Sequence, residues 1–204
     1  MKVRLLCYSI FLLSCCGSCV NPVKPTQYLT QDIKDYTAFK VGSYWIYQDS
    51  SNTANRDSII LVYHNLHIST HQEPALDGGT SSFEEFTDTL ASSIDGKING
   101  NRVGGENDYY VQYPSWPNGE TAYFTQTNGV PLDAWGNMIL TNSLESLSVA
   151  GQSYKQVKEF TINLPTGSTV ISPITNIWWA KNIGVIKKTV SGTTWLLTRY
   201  KVVQ

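Results

Sequence analysis

The chain predicts an all-β fold, mainly antiparallel, built as a single meander-like barrel, half-barrel or sandwich with few short helices. Three observations carry this expectation. Short runs rich in β-branched and aromatic residues recur along most of the chain, turn dipeptides separate several of them, and no segment sustains the 3.6-residue apolar period of a long amphipathic helix.

In chain order, the first run is Tyr44-Trp45-Ile46-Tyr47, just after Gly42, and the second is Ile59-Ile60-Leu61-Val62-Tyr63. Both read as strands buried on at least one face. Phe83 to Leu90, Tyr109 to Tyr113, Thr121 to Thr127 and Tyr154 to Leu164 follow. In the last of these, Phe160, Ile162 and Leu164 alternate with Glu159, Thr161 and Asn163, the period of two that a half-buried strand shows. Ile177 to Ala180, Val185 to Val190 and Thr193 to Val203 close the chain, with Ser191-Gly192 as a two-residue hairpin turn between the last two. Asp95-Gly96, Asn99-Gly100 and Asn128-Gly129 read as further turns, and Asp32 to Tyr36 and Leu140 to Leu147 as short helices. Trp45, Trp178, Trp179 and Trp195 fall inside strand-like runs and are assigned to packing.

The N-terminus is set apart from this fold. Lys2 and Arg4 precede an apolar stretch from Leu5 to Leu13, followed by small residues and cysteines, which is the layout of a secretory signal. The stretch falls short of the roughly 20 residues a membrane-spanning helix needs. Leu12-Leu13-Ser14-Cys15 resembles the lipobox of bacterial lipoproteins, which makes Cys15 the expected acylated residue, with Cys16 and Cys19 as alternatives. The expected organisation is therefore a signal and lipobox over 1–19, a Pro-containing tether over 20–35 and one β domain over 36–204. Acyl chains on the cysteine would anchor that domain to a membrane without a spanning helix.

The four cysteines all lie within the first nineteen residues, so the β domain has no disulfide, cysteine-ligated metal or thiol nucleophile. Setting Lys2 and Arg4 aside leaves 13 basic against 16 acidic residues and no basic run. Nucleic acid is thereby excluded as an expected partner, because its phosphates demand clustered Lys and Arg. Protein partners are not indicated.

Three segments carry a family resemblance. Phe39-Lys40-Val41-Gly42-Ser43-Tyr44-Trp45-Ile46-Tyr47 resembles the F-x-V-G-x-Y-W-x-Y opening of uncharacterised exported lipoproteins from Bacteroidota-type bacteria. Gly151 to Val157 is similar to their G-x-x-Y-x-x-V strand start, and Ala180 to Lys187 resembles their closing A-x-x-[IV]-G-[LV]-[IV]-K hairpin, followed here by the Trp195 to Tyr200 strand. The resemblance implies an exported β domain distantly similar to half-barrel folds that carry lipids, and it supplies no catalytic residue. Gly17 to Pro25 lacks the acidic run that often sends such lipoproteins to the cell surface, which implies an outer-membrane protein facing the periplasm.

Few residues suggest chemistry. His64, His67 and His71 are the only histidines, but a strand puts positions 64 and 67 on opposite faces, and no carboxylate stands at a fixed spacing from them. They are expected as exposed residues at a strand end and loop, with no metal bound. Asp95 to Asn101 lacks the bidentate Glu of a calcium loop and reads as a pair of turns. Glu84, Glu85 and Asp88 could supply paired carboxylates for glycoside hydrolysis, but Glu84 and Glu85 face opposite ways on a strand and so are not themselves that pair. No nucleophile elbow, phosphate loop or dinucleotide fingerprint occurs, and neither a catalytic residue nor a cofactor is assigned.

Aromatic residues crowd positions 109 to 135, and Trp116 lies between Pro114 and Pro117. A loop position there would let its ring stack on a ligand, so Trp116, Trp135, Tyr113 and Tyr123 are the expected ligand-binding residues. The leading functional expectation is an envelope lipoprotein whose β domain binds a small apolar or glycan ligand. A structural or protein-interaction component of the envelope, with no small-molecule site, is the second, and a hydrolase whose carboxylates meet only in the fold is the third.

Overall fold

The computed structural model describes residues 25, 26, 28–72, 79–94, 96–104, 108–112, 121–125, 137–163 and 174–204. Among the described residues, one short helix, α1 (Gln31–Thr37), precedes eleven strands: β1 (Tyr44–Asp49), β2 (Arg56–Gln72), β3 (Thr80–Ser92), β4 (Gly96–Gly104), β5 (Asp108–Gln112), β6 (Thr121–Thr125), β7 (Asn137–Val149), β8 (Gln152–Asn163), β9 (Ile174–Ala180), β10 (Gly184–Val190) and β11 (Thr193–Lys201). Each strand pairs with its neighbours in sequence, and β1 pairs with both β2 and β11, so the sheet closes into a barrel. All pairings are antiparallel except that of β6 with β7, which is parallel and joins two residue pairs. The expected all-β, antiparallel meander is the fold observed, in its barrel form.

Burial alternates along the strands. In β1, Trp45, Tyr47 and Asp49 are buried and the residues between them half-buried. In β10, Gly184, Ile186 and Lys188 take the buried positions. Ser191 and Gly192 both take positive φ, 49° and 79°, the mirror-image two-residue turn that suits a twisted hairpin. The core joins Trp45, Tyr47, Ile59, Leu61, Ile186 and Leu197 from β1, β2, β10 and β11 to Val149, Tyr154 and Val157 from the β7–β8 hairpin. Burial pushes the Tyr154 hydroxyl up to about 12, and the neighbouring Tyr200 adds to the shift.

Three expectations are corrected. Leu140 to Leu147 is not a helix but part of β7, where Leu140, Leu144 and Leu147 pair with Phe160, Val157 and Tyr154 of β8. Their spacing of four and three mimics a helical face, yet the strand leaves Leu140 exposed and Leu144 and Leu147 half-buried. Asn99-Gly100 is not a turn but lies within β4, where the register passes from Asn99 to Asn101 opposite Thr89 and Asp88. Gly100 is thus the extra residue of a bulge, and Asp95, of the other turn read over 95–101, lies outside the described residues. The histidines, finally, belong to β2, which runs on to Gln72 because it pairs with β3 along its whole second half. His64 and His67 are half-buried rather than exposed loop residues.

Helix α1 crosses one end of the barrel. Lys34 Nζ lies 2.7 Å from Glu84 Oε2 on β3, Asp32 pairs with Lys158 on β8, and Asp35 Oδ2 lies 3.1 Å from Lys181 Nζ in the β9–β10 turn. The backbone N–H of Asn182 donates to the Asp35 carbonyl at 2.7 Å, and the Tyr36 hydroxyl donates to the Gln156 carbonyl at 2.8 Å. Packing begins upstream of the helix, at Leu29, which is buried and whose N–H donates to Glu84 Oε2 at 3.0 Å.

Candidate functional site

Beneath α1 the barrel interior holds a cavity of about 70 Å³. Each water needs ~10–15 Å³ on this measure, so there is room for several waters or part of a small molecule. Its walls are largely aromatic: Tyr36 and Phe39 from the α1 segment, Trp45 and Tyr47 from β1, and Trp179 from β9, with Ile59, Leu61 and Leu90 between them. Two charged side chains reach the same space, Asp88 from β3 and Lys188 from β10.

The aromatic walls are fixed by their polar edges. The Trp45 indole N–H donates to the Ile183 carbonyl at 2.6 Å, and the Tyr47 hydroxyl donates to the Val185 carbonyl at 2.8 Å. Both bonds cross from β1 to the β9–β10 hairpin and its second strand. They satisfy the one polar group on each ring, and both rings line the cavity. Phe39 meets Trp45 edge to face at 5.4 Å. Gly184, at a φ of +93°, lets this pair close up: a Cβ there would lie 3.1 Å from Phe39 Cε2 and 3.4 Å from Trp45 Nε1.

The charged groups have partners of their own. Lys188 Nζ lies 3.4 Å from Asp57 Oδ2 and 4.8 Å from the centre of the Tyr47 ring. The Ser92 and Ser93 hydroxyls donate to the other Asp57 oxygen at 2.7 and 3.3 Å. Asp88 is 2 % exposed and faces His64 across the β2–β3 register, with Oδ1 2.6 Å from His64 Nδ1. Burial pushes the Asp88 carboxyl up to about 6, against the His64 hydrogen bond and charge, which pull it down. Burial also raises the Tyr36 hydroxyl to about 12, helped by the charges of Asp32 and Asp35. The cavity therefore offers a wide apolar wall with one cation and one weakly acidic carboxyl set into it, an arrangement suited to an amphipathic small molecule.

Cross-strand pairing also explains the second histidine. His67 Nε2 lies 2.9 Å from Glu85 Oε1, which also accepts from the Ser69 hydroxyl. Positions 64 and 67 face opposite sides of the sheet, as expected, and so do Glu84 and Glu85, whose partners differ. Sequence reading missed that each of these two histidines has a carboxylate opposite it. Only the register shift between Leu61 and Tyr63 sets that pairing. Among the described residues, no three His, Cys, Asp or Glu side chains group as metal ligands.

The expected ligand-binding aromatics fall, but for the backbone of Tyr123, outside the described residues. Tyr113, Trp116 and Trp135 lie outside the described residues, and Tyr123 has its backbone in β6, paired with Tyr110 and Asn137. Cys15, Cys16 and Cys19 also lie outside them. Trp45 and Trp179, assigned to packing, do pack, and they wall the cavity as well. No helix among the described residues is long and apolar enough to cross a membrane.

No protein-family model and no curated protein matches the chain. Among solved structures, the chain is similar to one named "putative lipoprotein from Parabacteroides distasonis", at 10% identity and a TM-score of 0.34, over 79% of this chain and 96% of that one.

Proposed function

We propose that the protein is an exported, lipid-anchored component of the cell envelope whose barrel binds a small amphipathic molecule. The observation that carries the binding reading is the cavity walled by Trp45, Tyr47, Trp179, Tyr36 and Phe39, with Asp88 and Lys188 as its polar groups. A purely structural barrel gains nothing from such a space, because unfilled apolar volume costs stability. The aromatic walls favour an apolar body on the ligand, and Lys188 and Asp88, each set into the wall beside its own partner, favour a head that both accepts and donates hydrogen bonds. The leader and the Leu12 to Cys15 element support export and acylation, with Cys15 as the anchor and the outer membrane as the destination.

Native mass spectrometry of the protein purified from a bacterial envelope tests this. A non-covalent adduct that is lost on denaturation is expected, and Val185→Trp, which places a large ring in the cavity, should lower its occupancy at least tenfold. An unliganded mass in every preparation, unchanged after incubation with envelope lipids and glycans, would overturn the reading. It would favour instead a partner-docking envelope component, for which the apolar side chains that β2 leaves 45–50% exposed, among them Ile60, Tyr63 and Leu66, are the supporting observation.

A further inference from the structure

Strands β3 and β8 stand opposite one another in the ring, five strands apart one way round and six the other. Helix α1 is tied to both. Lys34 reaches Glu84 on β3, while Asp32 reaches Lys158 on β8 and Asp35 reaches Lys181 in the turn after β9. A seven-residue helix is only ~10 Å long, so the long lysine side chains supply the rest of the span. Tyr36 and Thr37, at the end of the helix, and Phe39 just beyond it face into the cavity. The segment is thus a strap laid across the mouth of the barrel, with the cavity directly under it.

The two ends of the strap differ in what holds them. Downstream, Phe39 is buried against Trp45, and the Lys40 N–H donates to the Val203 carbonyl at 2.9 Å, which fixes the chain to the core. The helix itself is held to the rim by three ion pairs, in which Glu84 is buried and the other members are half-buried or exposed, by the Tyr36 and Asn182 hydrogen bonds, by the Lys158 ammonium 4.5 Å from the centre of the buried Tyr36 ring, and upstream by the buried Leu29. Partly solvated pairs of this kind are each worth about 1 kcal/mol or less and weaken with salt. Release of the pairs removes the charged part of this hold, so that the helix gives up only the Tyr36 and Leu29 contacts to turn about Ala38 and Phe39 and uncover the cavity.

We infer that α1 is an ion-latched lid that sets the rate at which ligand enters and leaves the cavity. This rests on the proposed binding function and adds its regulation. A closed lid holds ligand in as well as out, so loosening the latch should speed association and dissociation together and change affinity little.

The test is stopped-flow fluorescence of the neutral apolar dye N-phenyl-1-naphthylamine with the purified protein. Asp35→Lys and Lys181→Asp, each alone, should raise both rate constants at least fivefold, and the double exchange, which restores an ion pair in reverse, should return them toward wild type. Raising the salt on the wild-type protein avoids any folding defect. At 1 M salt the Debye length falls to ~3 Å, so the latch should loosen and dissociation should quicken. Ordinary salting-out of an apolar dye would slow it. Dye binding with rates that neither salt nor the single variants change would overturn the lid while leaving the cavity reading intact. Absence of dye binding to wild type would overturn both.

Discussion

Asp88 and His64 meet at 2.6 Å on neighbouring strands, and the carboxyl of this pair is the member that lines the cavity. Because burial lifts Asp88 to about 6 from an ordinary 3.8, the folded protein holds a proton there that the unfolded chain has already lost. Its contribution is therefore a stability that falls as pH rises from about 4 to about 6, by up to ~3 kcal/mol at 1.36 kcal/mol for each unit. Urea unfolding across this range should show Asp88→Asn free of that decline. An identical slope in wild type and variant would show that another group titrates.

The same titration puts a charge into the wall of an apolar cavity. A neutral apolar ligand should accordingly bind several-fold more weakly at pH 7.5 than at pH 5, and the Asp88→Asn variant should bind it equally at both. Fluorescence titration with the dye at the two values would decide the matter.

Lys188 and Asp57 form a buried pair at 3.4 Å, 8% and 3% exposed. Lys188→Met should destabilise the barrel by ~3–5 kcal/mol, because it strands a carboxylate that keeps only the two serine hydroxyls. The double variant Asp57→Leu with Lys188→Met should recover most of this loss. Recovery in thermal melts is the diagnostic, and a double variant no more stable than the single one would mean that the pair is not the source.

Gly184→Ala should cost ~1–3 kcal/mol, since alanine resists a φ of +93° and its Cβ would press on Phe39 at 3.1 Å. The Phe39–Trp45 contact should shift with it, visible as a change in tryptophan emission. A variant as stable as wild type would show that the hairpin can relax away from the ring.

Ser191 adopts a φ of 49°, which asparagine tolerates better than serine. Ser191→Asn, which makes an Asn-Gly turn, should raise stability by ~0.5 kcal/mol in equilibrium unfolding. No gain, or a loss, would mean that the serine makes a compensating interaction.

The strands were legible because their signal is local. The apolar aromatic run Tyr44 to Tyr47, the alternation in Phe160 to Leu164 and the Ser191-Gly192 turn need no distant partner to be read. Residues Leu140, Leu144 and Leu147 misled because their spacing of four and three is that of one helical face, and only the pairing with β8 shows them to lie in a strand. The site was less legible still. Asp88 lies 24 residues from His64 and Lys188 lies 131 from Asp57, so both pairs exist only once register and ring closure are set. The packing role read for Trp45 and Trp179 was sound, but lining a space and filling one look the same in a sequence.

The parallel junction of β6 with β7 has a cause outside any residue. Up and down can alternate perfectly around a closed loop only if the number of members is even, just as a loop can be coloured with two colours only then. A ring of eleven must contain at least one pair running the same way. The chain meets this obligation once, at Tyr123 with Asn137 and Phe124 with Met138, where the two pairs contrast with the thirteen joining β2 to β3. Amide exchange should therefore be fastest along this seam among all the junctions of the barrel. No point substitution can abolish the mismatch, and only the gain or loss of a whole strand would heal it.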